Sequence, residues 1–314
     1  MSIVSDIKNA GTVVSDRTKT LAEESAVKDW FDRKIGEEMG VKRALLVYTL
    51  LLLFYGFLLL PAIWLVLSTF MSTSFMFEPR ALPESLDELT LHHYYRVVTH
   101  SQMQTYFVNS TVVAVGTTAL TLLFGSLGAY SLSRFDYPGN RTLLVGYITT
   151  MMLPWVLLLI PFIVVMYRLG LINTRIGVVI VHTALALPLV TWLLKGYFDG
   201  IASSLDDAAR MDGCSHFQVL YHIIAPLSIP GLAVAGFFTF TVSWNDFLAV
   251  SVIAQTDGNR TLPFGLYLFQ QANVVDWGAV LTASVYMMIP VVVLFALVQS
   301  WIVQGIAGGG QHGH

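Results

Sequence analysis

Residues 203–231, SSLDDAARMDGCSHFQVLYHIIAPLSIPG, form a polar stretch between two long apolar blocks. Ser203 or Ser204 at its start can cap a helix, and Asp206 and Asp207 follow at the three-residue spacing of a capping box. Gly213 can end this short helix because glycine adopts the left-handed backbone conformation without a steric cost. The first part of the stretch therefore predicts a capped helix that closes on a glycine turn.

A second short helix is predicted directly after the glycine. Ser215 and Gln218 repeat the cap-and-return spacing, and four apolar or aromatic side chains then share one side of the helix. These four are Phe217, Leu220, Tyr221 and Ile224, and the helix is ended by Pro226 and Pro230. The whole stretch is a helix, a turn and a helix, too short and too polar to cross a bilayer.

The composition of the chain is that of an integral membrane protein. Of its 314 residues, 55% are hydrophobic and 12% are charged, against roughly a quarter charged in soluble domains. The apolar residues form six blocks that are each long enough to cross about 30 Å of hydrocarbon as a helix. The blocks are 44–70, 107–132, 143–167, 176–198, 230–254 and 279–303. The expected fold class is an all-α membrane protein with six transmembrane helices and a cytoplasmic helix-turn-helix loop between spans four and five.

Lys and Arg residues set the expected orientation. They are concentrated in the segments that are cytoplasmic if the N-terminus lies inside, and Lys42 and Arg43 lie directly against the first span. Both termini are then cytoplasmic. The expected division is a cytoplasmic N-terminal segment at 1–43, a six-helix domain at 44–304 with the loop at about 200–228, and a cytoplasmic tail at 305–314.

Composition and motifs disfavour several classes of function. The net charge of −3 gives no basic field for nucleic acid. Cys214 is the single cysteine and can form neither an internal disulfide nor a cysteine zinc cluster. His92, His93 and His100 lack a convincing metal-ligand geometry, so no metal site is predicted. The sequence contains no HExxH, GxSxG or phosphate-binding loop, so the chain is expected to be non-catalytic and not to hydrolyse ATP itself.

Three interpretations of the polar stretch are open from its residues. A helix that lies on lipid usually carries Lys and Arg on its polar face, whereas this one carries Asp206, Asp207 and Asp212 against Arg210. A plain structural connector is the second interpretation. The third is a surface that docks into a cytoplasmic partner, where small side chains allow close approach and carboxylates meet basic residues.

The stretch resembles the signature of the permease subunits of binding-protein-dependent ABC importers. That signature is Glu-Ala-Ala, three residues, Gly, nine residues, Ile, one residue and Leu-Pro. Its positions are occupied here by Asp207-Ala208-Ala209, Gly213, Ile223 and Pro226, with aspartate in place of glutamate and Ala225 in place of leucine. Segments such as FVNSTVVAVGTT, GSLGAYSLSRFDYPGN and TVSWNDFLAV are similar to the carbohydrate-uptake branch, that of the maltose-type inner-membrane permeases, and the resemblance runs from about residue 45 to 310.

This resemblance implies a subunit of the cell membrane that pairs with a second homologous permease subunit. Two copies of a cytoplasmic ATPase subunit and an extracytoplasmic solute-binding protein for sugars would complete the transporter, which lies in membrane lipid. The loop would be a coupling helix that transmits ATPase closure to the spans. The chain would bind no cofactor, because ATP and Mg²⁺ would lie on the ATPase. The residues expected at the ATPase contact are Asp206, Asp207, Ala208, Ala209, Met211, Asp212, Gly213, Phe217, Ile223 and Pro226.

Polar residues inside the spans are candidates for a solute pathway. Asn245 and Asp246 lie in the fifth block, where such groups are costly unless they face the protein interior or a watery cavity. They could line a sugar pathway or form a hydrogen-bonding clamp between helices. Trp244 and Tyr286 could stack on a sugar ring or serve packing. His182 could be a proton relay, but packing is the expected role because its own span carries no carboxylate.

Two alternative functions follow from the same features. One is an ABC permease for a solute other than a sugar. The other, from a different class, is an ion-coupled carrier, which would need its own ionisable pathway and usually shows inverted repeats. The few charges within the spans argue against such a carrier.

Overall fold

The computed structural model describes residues 41–73, 75, 85, 88–99, 101–270 and 275–309. The predicted N-terminal segment thus lies almost entirely outside the described residues, as does part of the predicted tail. The regular secondary structure of the described residues is helical, apart from one isolated bridge between Met71 and Leu89. Its helices are α1 (Val41–Ser68), α2 (His92–Thr99), α3 (Ser101–Arg134), α4 (Asn140–Met152), α5 (Trp155–Arg168), α6 (Arg175–Asp199), α7 (Ser204–Met211), α8 (His216–Val219), α9 (Ala225–Leu227), α10 (Ile229–Asn245), α11 (Leu248–Ile253), α12 (Leu262–Gln270) and α13 (Trp277–Gly309), with a π-helical turn at Leu220–Ile224.

Several of these helices are long and apolar enough to cross a membrane. Four meet this condition alone in the described chain: Arg43–Ser68, Gln102–Arg134, Arg175–Asp199 and Trp277–Ile302. The number rises to six if two bent pairs each count as one span. The pairs are α4 with α5, bent by 103°, and the segment His216–Leu227 with α10, bent by 84°. The prediction of a helical integral membrane protein is confirmed, whereas the count of six spans stays a prediction.

Two of the predicted blocks are broken, and each break has a local cause. The third block breaks at Pro154, because the ring of proline keeps the preceding Leu153 extended, at φ −75° and ψ 137°. The fifth block was expected as one helix over 230–254. In the structure α10 ends at Asn245, and the chain becomes helical again in α11. Asp246 is extended there, and its Oδ2 accepts the backbone N–H of Ala249 at 3.0 Å. This bond satisfies a donor at the start of α11 that has no intrahelical partner.

The centre of the fold is the close packing of α3 against α6. A Cβ on Gly125 would lie 2.7 Å from Cγ1 of Val190, and Ala129 is fully buried in the same apolar cluster. The small side chains at Gly125 and Ala129 allow this close approach. α10 packs on both helices, so α3, α6 and α10 together form the frame that positions the sites below.

Hydrogen bonds join the turn before α6 to the segment that follows α11. Asn173 has a positive φ of 58°, and its Oδ1 accepts the backbone N–H groups of Gln255 and Thr256 at 3.1 and 3.0 Å. Nearby, Asp257 Oδ1 accepts from the Tyr106 hydroxyl at 2.9 Å. This hydrogen bond, with a second one from Arg260, lowers the pKa of the Asp257 carboxyl.

Candidate functional site

The first helix of the polar stretch, α7, ends on the predicted glycine turn. Gly213 has a φ of +88°. The N–H of Gly213 donates to Arg210 O, and the N–H of Cys214 donates to Ala209 O, both at 3.0 Å. These two bonds form a Schellman motif, which satisfies carbonyls at the helix end. The serine cap predicted at the other end is wrong: Ser203 has helical backbone angles and its side chain makes no capping bond.

The second helix begins as predicted and then departs from the predicted pattern. Ser215 and Gln218 form a capping box, with each side chain bonded to the backbone of the other residue. The four side chains expected on one face are divided, however. Phe217 and Tyr221 are exposed, whereas Leu220 and Ile224 are buried. A π-helical turn occupies Leu220–Ile224; it holds more residues than an α-helical turn and shifts the side chains that follow it around the axis.

Asp206 points into the protein and is paired with an arginine. Its Oδ2 accepts from Arg134 Nε at 2.9 Å, and both side chains are only 10% exposed. Arg134 also donates to Phe198 O at 2.9 Å and to Ile201 O at 3.0 Å, at the end of α6. Asp206 was predicted among the residues that contact a partner, and this inward position does not fit that role. Arg134 was not predicted as a site residue; its place at the end of the apolar block in GSLGAYSLSRFDYPGN is the signal that marks it.

The segment 200–228, called here the interhelical loop, has one buried and one exposed face. Its buried face belongs to a cluster with residues of α3, α6 and α10. On the exposed face Met211 is 88%, Phe217 72% and Tyr221 74% exposed. Asp207, Ala208, Asp212, Gly213 and Pro226 are also exposed, whereas Ile223 is half-buried and Ala209 is buried.

A second candidate site is a cavity of about 420 Å³ between α3, α6, α10 and the α4–α5 break. This polar cavity is lined by apolar side chains with polar groups among them, the usual character of a ligand pocket. Its polar lining residues are Thr117, Thr150, His182, Thr239, Ser243, Asn245 and Asp246. Asn245 and Asp246, the candidates for a pathway or a clamp, both line this cavity.

His182 joins this cavity to its frame through a chain of hydrogen bonds. His182 Nε2 is 3.1 Å from Asp246 Oδ2, and His182 Nδ1 is 2.8 Å from Ser243 Oγ. Ser243 in turn donates to Thr117 Oγ1 at 3.4 Å. The sequence prediction of a packing residue missed these partners because the carboxylate lies on a different helix. The chain of bonds links α3, α6 and the α10–α11 junction.

Trp244 and Tyr286 lie apart from the polar cavity. The Trp244 side chain is 1% exposed, its Nε1 donates to Met287 O at 3.0 Å, and its ring stacks with Phe240. The ring of Tyr286 lies against Phe107. Of the two roles left open for these aromatic residues, this placement fits packing. Within the described residues, no group of three or more His, Cys, Asp or Glu side chains could hold a metal ion.

Apolar helices around a polar cavity, with a folded loop at one end of the frame, define a helical membrane protein with the architecture of a solute transporter. The chain belongs to the family of binding-protein-dependent transport system inner membrane components, whose model matches residues 121–308. This match includes the interhelical loop and all cavity residues except Thr117.

Relatives of known name support this assignment over most of the chain. The trehalose/maltose transport system permease protein of Thermococcus litoralis is 32% identical over 281 residues, which are 88% of this chain and 99% of that protein. The sulfoquinovosyl glycerol transport system permease protein of Agrobacterium fabrum is 31% identical over 81% of this chain and 89% of that protein. A solved bacterial ABC transporter involved in the import of the acidic polysaccharide alginate contains a chain of the same fold, with a TM-score of 0.70 and 25% identity over 86% of this chain and 97% of that one.

Proposed function

We propose that this chain is the permease subunit of an ATP-driven importer for a sugar-type solute, in which it forms half of the translocation pathway. Six spans within 44–304 cross the cell membrane, and the segments 1–43 and 305–314 lie in the cytoplasm. The partners are a second homologous permease subunit, an extracytoplasmic solute-binding protein and two copies of a cytoplasmic ATPase, which carry ATP and Mg²⁺. The interhelical loop is the coupling helix that docks on one ATPase.

The single observation that carries this proposal is the two-faced structure of the interhelical loop. Exposed side chains as large as Met211, Phe217 and Tyr221 are typical of a surface that binds another protein. Asp207 and Asp212 lie on the exposed side as well, and their carboxylates can meet basic residues of a partner. A plain connector would have no need of this apolar exposed face, and a helix on lipid would carry cations beside it.

The buried face of the loop explains how a docking event could reach the solute pathway. Ala209, Leu220 and Ile224 pack in one cluster with residues of α3, α6 and α10. The same three helices contribute Thr117, His182 and Ser243 to the polar cavity. Because packed helices move as stiff elements, a displacement of the loop would shift the cavity walls together. ATPase closure could in this way change the side of the membrane to which the cavity opens.

The relatives favour a sugar as the solute. The two permeases described above are named for trehalose or maltose and for sulfoquinovosyl glycerol, and the solved neighbour imports a polysaccharide. An ABC permease for a non-sugar solute is the alternative that these names do not favour. An ion-coupled carrier is disfavoured by the family to which the chain belongs.

Two adjacent alanines provide a matched test of the docking face. Ala208 is exposed and Ala209 is buried. We expect Ala208→Cys, in a Cys214→Ser background, to crosslink with cysteines placed on the surface of the co-expressed ATPase, and Ala209→Cys in the same background not to crosslink. The measurement is the covalent permease–ATPase band on non-reducing gels.

The outcome that contradicts the proposal is equally direct. If Ala208→Cys reacts with lipid-soluble thiol probes and gives no band with the ATPase, the loop lies on the membrane and is not a coupling helix. Equal crosslinking at both positions would contradict the two-faced structure of the loop.

A further inference from the structure

The donors and acceptors of the polar cavity are unevenly distributed. Thr150 Oγ1 donates to Tyr147 O at 2.7 Å, and Thr239 Oγ1 donates to Ala235 O at 2.8 Å. Asn245 Nδ2 donates to Thr241 O at 2.8 Å. The hydroxyl hydrogens of both threonines and one of the two Nδ2 hydrogens of Asn245 are thus directed to backbone carbonyls of their own helices. The two threonine hydroxyls can therefore offer a ligand only oxygen lone pairs, whereas Asn245 can offer the lone pairs of Oδ1 and the second N–H of its amide.

Asp246 divides its two oxygens between structure and cavity. Oδ2 takes the bonds from His182 and from the backbone N–H groups of Ala249 and Val250. Oδ1 accepts no hydrogen bond from any described residue, and it is not among the buried polar atoms that lack a partner. One oxygen therefore serves as a clamp between helices, and the other is a free acceptor at the cavity wall.

Among the described residues that line the cavity, Asp246 is the one carboxylate, His182 is hydrogen-bonded to it, and there is no Lys or Arg. Both ring nitrogens of His182 are already engaged, with Asp246 and with Ser243. The described lining therefore offers no Lys, Arg or unengaged His to a ligand carboxylate. An acidic saccharide would meet the Asp246 charge in a poorly solvated site, where like charges repel strongly.

We propose, on the basis of the import function above, that the polar cavity is a solute subsite of this subunit for uncharged, hydroxyl-rich sugars. Asp246 Oδ1 and Asn245 Oδ1 accept hydrogen bonds from sugar hydroxyls, and the Asp246 carboxylate excludes acidic saccharides. Trp155, 39% exposed at the cavity wall, supplies an apolar surface beside these acceptors. The solved neighbour imports the acidic polysaccharide alginate, so the two transporters would differ in the charge of the solute that they accept.

A pair of thiol reagents tests the charge of the cavity without knowledge of the cognate sugar. Asn245→Cys is made in the Cys214→Ser background, in the full chain co-expressed with its transport partners in membrane vesicles. Its modification rate is measured with a cationic methanethiosulfonate and with the anionic sulfonate analogue. We expect a ratio of cationic to anionic rates about tenfold above that of a free thiol in solution, because the Asp246 charge attracts one reagent and repels the other.

Replacement of the carboxylate provides the matched control. Asp246→Asn added to Asn245→Cys keeps an oxygen acceptor for the start of α11 and removes the charge, so the ratio should fall to the free-thiol value. Asp246→Ser, which can also cap a helix, serves as a second uncharged variant if the asparagine variant does not accumulate in the membrane. A ratio near the free-thiol value in the parent, or one that Asp246→Asn leaves unchanged, would overturn the charge assignment.

Uptake by the complete transporter separates this inference from the proposed function. We expect ATP-dependent uptake of one or more neutral sugars from a radiolabelled panel, no uptake of the matching uronic acids, and at least about tenfold lower uptake in Asp246→Ala. Uptake of uronic acids equal to that of neutral sugars would overturn the inference and leave the import function standing. No uptake of any saccharide by the parent transporter would instead contradict the proposed function, whatever the ratio of reagent rates.

Discussion

Arg134 and Asp206 join three segments of the chain at one buried point. The guanidinium at the end of α3 donates to Asp206 in α7 at 2.9 Å, and both side chains are 10% exposed. The same guanidinium donates to Phe198 O and Ile201 O at the end of α6. Removal of one partner of a buried pair leaves an uncompensated charge and costs about 3–5 kcal/mol. The interhelical loop is therefore fixed to the spans by a specific polar contact as well as by apolar packing.

Two neighbouring aspartates should separate stability from coupling. Asp206→Ala strands the Arg134 charge and should lower the free energy of unfolding by about 3 kcal/mol or more, seen as a fall in the melting temperature of the purified complex. Asp207→Ala, on the exposed side, should change stability by less than about 0.5 kcal/mol and lower solute-stimulated ATP hydrolysis. Equal melting temperatures for the two variants would contradict the assignment of Asp206 as an anchor.

The glycine turn should depend on backbone conformation alone. Nothing lies within 4 Å of the Cβ that a residue at Gly213 would carry, so a side chain there meets only the cost of the positive φ. We expect Gly213→Ala to lower the free energy of unfolding by about 1–2 kcal/mol. Gly213→Asn should lower it less, because asparagine tolerates the left-handed region. Gly213→Val should abolish uptake while the subunit still inserts into the membrane.

Gly196 supplies a control for this turn. It lies within α6, and its added Cβ would also meet nothing within 4 Å. Gly196→Ala should be neutral or stabilising by up to about 1 kcal/mol, because alanine is the better helix former. The comparison of thermal stability would contradict the proposed turn if Gly213→Ala and Gly196→Ala were equally stable.

Local sequence features predicted the parts of the site that depend on neighbours along the chain. The left-handed Gly213 and the capping box of Ser215 need only residues within a few positions. The pairs Arg134–Asp206 and His182–Asp246 are separated by 72 and 64 residues. Their formation depends on how α3, α6 and α10 pack, which a residue pattern within one span does not encode. The inward position of Asp206 and the partners of His182 were missed for this reason.

Close contact between α6 and α10 should be sensitive to a single methyl group. A Cβ at Gly231 would lie 2.5 Å from Cγ of the Tyr197 ring. Gly231→Ala should cost about 1–3 kcal/mol through overpacking, and Gly146→Ala, whose Cβ would meet nothing within 4 Å, should cost far less. In a double-mutant cycle with Tyr197→Ala, the alanine at 231 should be less harmful than with the tyrosine present. Additive losses of thermal stability would contradict this steric contact.

Asn173 should be replaceable by aspartate but not by glycine or alanine. Its Oδ1 accepts the N–H groups of Gln255 and Thr256, and its positive φ of 58° is a conformation that asparagine and glycine tolerate. An aspartate side chain would keep the acceptor, so Asn173→Asp should be near the parent in stability. Asn173→Gly keeps the backbone freedom but loses the side-chain acceptor, so it should lower the free energy of unfolding by about 1–2 kcal/mol. Asn173→Ala loses both and should be the least stable.

Hydrogen exchange at the amides of Gln255 and Thr256, measured beside the melting temperature, would show this order of stabilities. A glycine variant with parental protection at both amides would contradict the role of the side-chain oxygen.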